Sequence, residues 1–181
     1  MNYATYKNIS ELQIGEPLYF KNLTMFGLKG VDFSTIKYQT FQQASREHQY
    51  KISEINDEGH VPQLHFTNLS NIPILILDGT ELVGAKQNRV LNTSILAPAN
   101  QMISIPVSCC ERSRWSYTSS RDFTFQNQSM YASARFDKVK SVNENWTMNG
   151  YAESDQSEVW SNISSKSKRM NVHSASESMG D

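Results

Sequence analysis

The sequence predicts a mainly β fold of the α+β class: an antiparallel β-sandwich or curled sheet with a short N-terminal helix and two C-terminal helices. Three observations carry this expectation. Between residues 61 and 108 apolar side chains recur at strand spacing, with Leu64 and Phe66 on one face of their segment and Gln63, His65 and Thr67 on the other. Turn-forming groups, Asp78-Gly79 and Ala97-Pro98-Ala99-Asn100, separate the apolar runs. Apolar residues recur near helical spacing only late, around 136–146 and 159–163.

Pro17 to Leu28 reads as an early strand, with Gly27 and Gly30 as breaks after it. Thr40 precedes a short helix over 41–48, because Gln43 stands three residues on, where a capping box needs it. Ile52 and Ile55 mark a short strand, Asn56-Asp57-Glu58-Gly59 a turn, and Val61 to Asn68 the next strand. The run Ile72 to Leu77, the pair Asp78-Gly79 and the return over Thr80 to Val83 predict a hairpin, which makes Asp78 a turn former rather than a metal ligand. Arg89 to Leu96 and Gln101 to Ser108 read as two further strands joined across 97–100, pairing Leu96 with Gln101 and Arg89 with Ser108. After Tyr117 a polar connection follows, anchored by Phe123, Phe125 and Tyr131. Phe136, Val139, Val142 and Trp146 predict one closing helix, and Asp155 with Glu158 caps a second that contains Val159, Trp160 and Ile163. Trp146 and Trp160 are expected as core anchors. Residues 1–170 read as one domain and 171–181, polar and Ser-rich, as a flexible tail.

Composition removes several function classes. Seventeen Lys plus Arg against eighteen Asp plus Glu leave the chain near neutral, so no global field draws duplex nucleic acid or an anionic membrane. No apolar run approaches the ~20 residues that span a bilayer, and the N-terminus lacks the apolar core of a signal peptide, so a cytoplasmic protein is expected. Cys109 and Cys110 are adjacent and cannot staple distant segments. Four histidines without paired spacing offer no metal ligand set, and glycine-rich phosphate loops and GxSxG are absent. Neither a cofactor nor a metal is expected.

The chemistry-bearing residues fall in two clusters, Gly84-Ala85-Lys86-Gln87-Asn88-Arg89 and Cys109-Cys110-Glu111-Arg112-Ser113-Arg114-Trp115. Antiparallel pairing of the strands between them brings both to one end of the sheet, Asn88 toward Cys109 and Lys86 toward Glu111. Alternation puts Cys109 on the apolar face with Ile103, Ile105 and Val107, as a buried thiol. Lys86, Arg89 and Arg112 supply charge for a phosphate or carboxylate, Gln87 and Asn88 supply amides, and Trp115 supplies a stacking face. Glu81 is either a solvent-facing strand residue or a site carboxylate, and with Glu111 it is a candidate general acid or base.

The run DGTELVGAKQNRVLNTSILAPAN, followed by ISIPVSCCERSRW, resembles a prokaryotic family, the ADP-ribosylglycohydrolase- and rhodanese-phosphatase-associated protein domain. Segments YQTFQQA, KISEI, VPQLHFTNLSNIPILIL and DQSEVW also fit in order, so the resemblance spans most of 16–165. Glu81, Gly84, Lys86, Gln87, Asn88, Arg89, Asn92, Cys109, Glu111 and Trp115 match the family's string, whereas Cys110 stands where an apolar residue is common and Ser113 where glycine often is. The resemblance implies no established reaction. The association in its name favours a nucleotide-derived ligand, and members tend to continue further, which suggests an abbreviated chain.

Together these readings lead to a ligand-binding domain for a phosphate-bearing or nucleotide/ADP-ribose-derived small molecule. A hydrolase acting on a nucleotide-sugar or phosphoester at the same place, and a non-catalytic module that binds a protein or itself, are the alternatives.

Overall fold

In the computed structural model, residues 11–30, 36–56, 61–117 and 122–180 are described, and the chain divides into two compact units that meet between Lys37 and Tyr38. Both lie within the span that the sequence reading treats as one domain. The turn expected at 56–59 and the first residues after Tyr117 lie partly outside the described residues.

The first unit holds an antiparallel hairpin of β1 (Gln13–Phe20) and β2 (Leu23–Lys29). The single strand expected over 17–28 is thus two. Lys21 adopts a positive φ of 52°, and the chain reverses there rather than at Gly27, which is inside β2.

The second unit runs β3 (Gln39–Thr40), α1 (Phe41–Arg46), β4 (Tyr50–Glu54), β5 (Gln63–Asn68), β6 (Ile74–Ile76), β7 (Thr80–Gly84), β8 (Arg89–Leu91), β9 (Ile95–Ala97), β10 (Met102–Cys109), β11 (Phe123–Ser129), α2 (Ala132–Asn149) and α3 (Gln156–Met170). Six strands form an antiparallel sheet in the order β11-β7-β8-β10-β5-β4. The sheet curls into a half-barrel. Its outer strands approach each other, since Ser53 bridges Asp122 and the Phe125 backbone N–H donates to the Tyr50 hydroxyl at 3.0 Å. Inside the curl Ile52, Leu64, Phe66, Leu82, Ile105 and Phe123 are buried, with Phe41 of α1 packed edge-on to Tyr50 at 4.8 Å between centroids. The capping box expected at Thr40 is present, with the Gln43 side chain returning the bond. The mainly β, curled-sheet class is therefore the observed one, with two helices at the C-terminal side.

Two expected pairings are replaced. No hairpin forms at Asp78-Gly79, because β6 joins β3 and β9 in a separate three-stranded sheet while β7 joins the half-barrel. Asp78 instead accepts two bonds from Arg135, at 2.8 and 2.5 Å, and the turn carries the chain between sheets. The strand expected over 89–96 breaks at Asn92, whose side chain donates to the Ala152 carbonyl at 3.0 Å and accepts from Ser108 at 2.7 Å. Its two halves then pair with different partners, β8 with β10 and β9 with β6. Phe123 to Ser129, expected as polar connection, is an edge strand whose Phe123 reaches the core.

Helices α2 and α3 cover the convex face, where Val90 and Cys110 pack with Met130, Ala134, Val159 and Ile163. Asp155 caps α3, as expected. The buried stripe of α2 is Ala134, Lys138 and Val142, whereas Phe136 is 71% and Trp146 61% exposed, so Trp146 is no core anchor. Small Ala134 lets the helix approach the sheet, and the long Lys138 side chain then reaches two carbonyls at the end of β8, Leu91 at 2.9 Å and Asn92 at 3.0 Å. Residues set apart as a tail include Ser178, which bridges Glu111, and Met179, whose N–H donates to the Cys110 carbonyl at 2.9 Å.

Burial lowers the Lys138 pKa from 10.5 to about 8, against the opposing pull of Asp78. Between these values the unfolded chain holds more proton than the folded one, so this group makes stability rise with pH there. The Lys138→Met variant should lose about 2 kcal/mol by leaving two carbonyls unmet. Thermal melts from pH 8 upward should rise in the wild type and stay flatter in the variant; parallel profiles would reject this account of Lys138.

Candidate functional site

The β7–β8 connection is a tight polar loop because Gly84 allows it. Gly84 has φ of 139°, and a Cβ there would lie 2.5 Å from the Asp122 carbonyl oxygen, so no other residue fits this backbone approach. Pairing of Arg89 with Cys109, one residue beyond the expected Ser108, places the second cluster beside this loop. The two clusters do meet at one end of the sheet.

Glu111 and Arg114 form the centre of the junction. Arg114 donates to both Glu111 oxygens, at 2.9 and 2.6 Å, and also to the carbonyls of Ala85 at 2.7 Å and Ser116 at 2.9 Å. The Asn88 backbone N–H donates to Glu111 at 3.0 Å, and the Gln87 amide donates to the Glu111 carbonyl. Burial alone would raise the Glu111 pKa, but the hydrogen bonds from Arg114, Asn88 and Ser176 outweigh it and hold the carboxyl below its ordinary value. Glu111 is thus an ionised clamp on the loop.

Arg89 is fully buried on the concave side, level with Leu82. Its guanidinium donates to the Gln87 carbonyl at 3.0 Å and to the Gln87 side chain at 2.9 Å, and stands 3.8 Å from Glu54. Asn88 is similarly committed: its side-chain oxygen accepts from Gly84 N–H at 3.2 Å and Arg114 at 3.0 Å. The polar groups expected to read a ligand are largely spent on one another.

Lys86 and Trp115 each keep part of their surface open to solvent. The Lys86 ammonium lies 5.6 Å from the Trp115 ring centre and 5.4 Å from that of Tyr117, while the Arg89 guanidinium backs Trp115 at 5.6 Å. Trp115 is 49% exposed. Tyr117 also lines a recess of about 530 Å³ with Lys51, Ser53, Glu54, Asn56 and Asp122, at the seam where β4 and β11 approach.

Other expected site residues lie apart. Arg112 points to Glu177, at 3.7 Å, and to the Trp160 ring, at 5.6 Å. Glu81 pairs in register with Val90, so it occupies the convex face, opposite Arg89, where Cys110 donates to it at 3.6 Å. Both cysteines are buried thiols, and burial pushes their pKa values up, most strongly for Cys110. Among the described residues no group of three or more His, Cys, Asp or Glu side chains is arranged to hold a metal. Among the described residues no helix is long and apolar enough to cross a membrane.

Sequence reasoning placed Arg114 in the second cluster but gave it no role on Glu111, and it passed over Glu54. Arg114 had a signal, since a cation three residues from Glu111 can fold back onto it. Glu54 had none, because only the curl of the sheet brings β4 to β8.

No curated protein and no solved structure matches the chain. A family model does match, over residues 11–181, and so takes in both clusters and the strands that join them. The chain belongs to the family of the ARG and Rhodanese-Phosphatase-superfamily-associated Protein domain.

Proposed function

We propose that the domain binds a small phosphate-bearing or nucleotide-derived molecule, ADP-ribose-like compounds included, at the seam recess beside Lys86. One observation carries this reading: a lysine ammonium is flanked by two partly exposed aromatic rings, one of which, Tyr117, lines a recess of about 530 Å³. Lys86 supplies the counter-charge to an anion, and Trp115 or Tyr117 a face for a planar ring. Arg89 acts indirectly, as a buried cation behind Trp115, and Gln87, Asn88 and Glu111 fix the loop that carries Lys86. A cytoplasmic location belongs to the same reading.

Hydrolysis has less support. Both Glu111 oxygens are held by Arg114, and Glu81 stands on the opposite face of the sheet from Arg89. The interaction alternative draws on the hairpin, whose Ile14, Tyr19 and Phe20 are exposed.

Thermal melts with ADP-ribose, nucleotides and sugar phosphates check the proposal. At a concentration 100 times the dissociation constant, one ligand should stabilise the protein by about 2.7 kcal/mol. Lys86→Ala and Trp115→Ala should each abolish that gain while folding normally. No stabilisation by any member of the panel, or a gain that survives both substitutions, would reject it.

A further inference from the structure

The turn at Asp78-Gly79 closes no hairpin, and it builds something else: a seat for Arg135 of α2. The Asp78 carboxylate accepts from the Ser94 hydroxyl at 3.3 Å and takes Nε and Nη2 of Arg135 side-on, at 2.8 and 2.5 Å. Gly79 clears the space, since at its φ of 77° a Cβ would lie 3.0 Å from Arg135 Cδ and 3.2 Å from its Nε. A guanidinium has a second forked edge, formed by its two Nη atoms. Among the described residues the Arg135 side chain makes no further hydrogen bond, and it is 40% exposed. Its second edge is therefore held in a fixed orientation and left without an acceptor.

Arg135 lines a recess of about 260 Å³ together with Leu75, Leu77, Phe125 and Gln128. Leu82 pairs with Phe125 and Thr80 with Ser129, so Glu81 alone stands opposite residues 126–128, and this bulge of β11 borders the recess. The Phe125 ring is backed by Phe41 at 4.7 Å, and Leu77 is 54% exposed. An apolar wall thus stands beside a preorganised cation. The volume is below the roughly 300–1,000 Å³ of sites for drug-sized molecules, which selects a small ligand.

A carboxylate matches the open fork with two parallel hydrogen bonds. Lys138 is near enough to pull on Asp78 as well, so two cations serve one carboxylate here and a second carboxylate is tolerated. A phosphate dianion would bring one negative charge more than this set can meet. An uncharged apolar molecule would cover the fork and give it no acceptor. We propose that this recess is a second binding site, apart from the seam at Lys86, for a small monocarboxylate with an apolar body, its carboxylate on the open edge of Arg135 and its body against Leu75, Leu77 and Phe125.

NMR titration of the full chain tests this, with phenylacetate, 2-phenylethanol and inorganic phosphate as probes. Phenylacetate should shift the amide signals of Asp78, Gly79 and Arg135 and bind about tenfold or more tighter than 2-phenylethanol, which keeps the ring and lacks the anion. Phosphate should bind no better than the alcohol. Leu77→Glu, at an exposed position, should abolish phenylacetate binding while the chain melts as the wild type does, and Arg135→Gln should weaken it to the level of the alcohol. Lys86→Ala should leave it intact, so failure of the seam site and failure of this one are told apart. Equal affinity for phenylacetate and the alcohol, no binding of either, tighter binding of phosphate, or binding that survives Leu77→Glu would overturn the proposal. Loss of phenylacetate binding in Lys86→Ala would overturn the separation of the sites.

Discussion

Arg114→Ala is expected to cost about 3–5 kcal/mol of unfolding free energy, because it strands the Glu111 carboxylate without its cation. For a domain of this size that corresponds to a fall in melting temperature on the order of 10 °C. Arg114 binds both oxygens of Glu111 and the carbonyls of Ala85 and Ser116, so it ties the β7–β8 loop to the segment after β10. The side chains are 16% and 5% exposed, which keeps solvent from replacing the lost bonds. The pair also sets an acid limit. The Glu111 pKa is held below its ordinary 4.5, so its stabilising contribution is fully present above that value and fades as pH falls through the lower, folded one. Urea unfolding at neutral pH and again below pH 4 should show the Arg114→Ala deficit shrinking in acid. A deficit under about 1 kcal/mol at neutral pH would show that the pair is no more than a surface bridge.

Arg89→Met should cost about as much, roughly 3–5 kcal/mol, for a related reason. The Arg89 side chain is 0% and the Glu54 side chain 5% exposed, so removing the cation leaves charge in the concave core. The revealing comparison adds Glu54→Leu. With both charges replaced by apolar groups the double variant should recover at least about 1 kcal/mol relative to the sum of the single changes. Strict additivity in chemical denaturation would mean that Arg89 and Glu54 do not stabilise one another. Because Arg89 backs Trp115, both variants should also blunt any ligand response that depends on that ring.

The sequence made local features visible where one segment contains its own partner. Thr40 and Gln43 cap α1 from within four residues, and Asp155 caps α3 in the same way. Leu64 and Phe66 announced their buried face by alternation, and Cys109 took its place on the apolar side of β10. Longer reach failed at particular places. Asp78-Gly79 has the composition of a hairpin turn, yet its flanking strands find better partners in separate sheets, and Arg135 captures Asp78. Trp146 carries the largest apolar surface on α2, but the helix buries the face with Ala134 because close packing against the sheet rewards a small residue.

The candidate site divides along the same line. Its location was legible, since two polar clusters separated by strands must meet when the strands pair. Its internal economy was not: that Gln87, Asn88 and Glu111 would be consumed by Arg89 and Arg114 depends on distances across the junction. Sequence alone determined the mainly β class, the family string and the end of the sheet where the clusters converge, because periodicity and spacing act over a few residues. Only the tertiary structure decided which charges are buried as pairs, that Lys86 and Trp115 keep part of their surface open, and that Glu81 opposes a bulge on the other face, because curl and register join residues far apart in the chain.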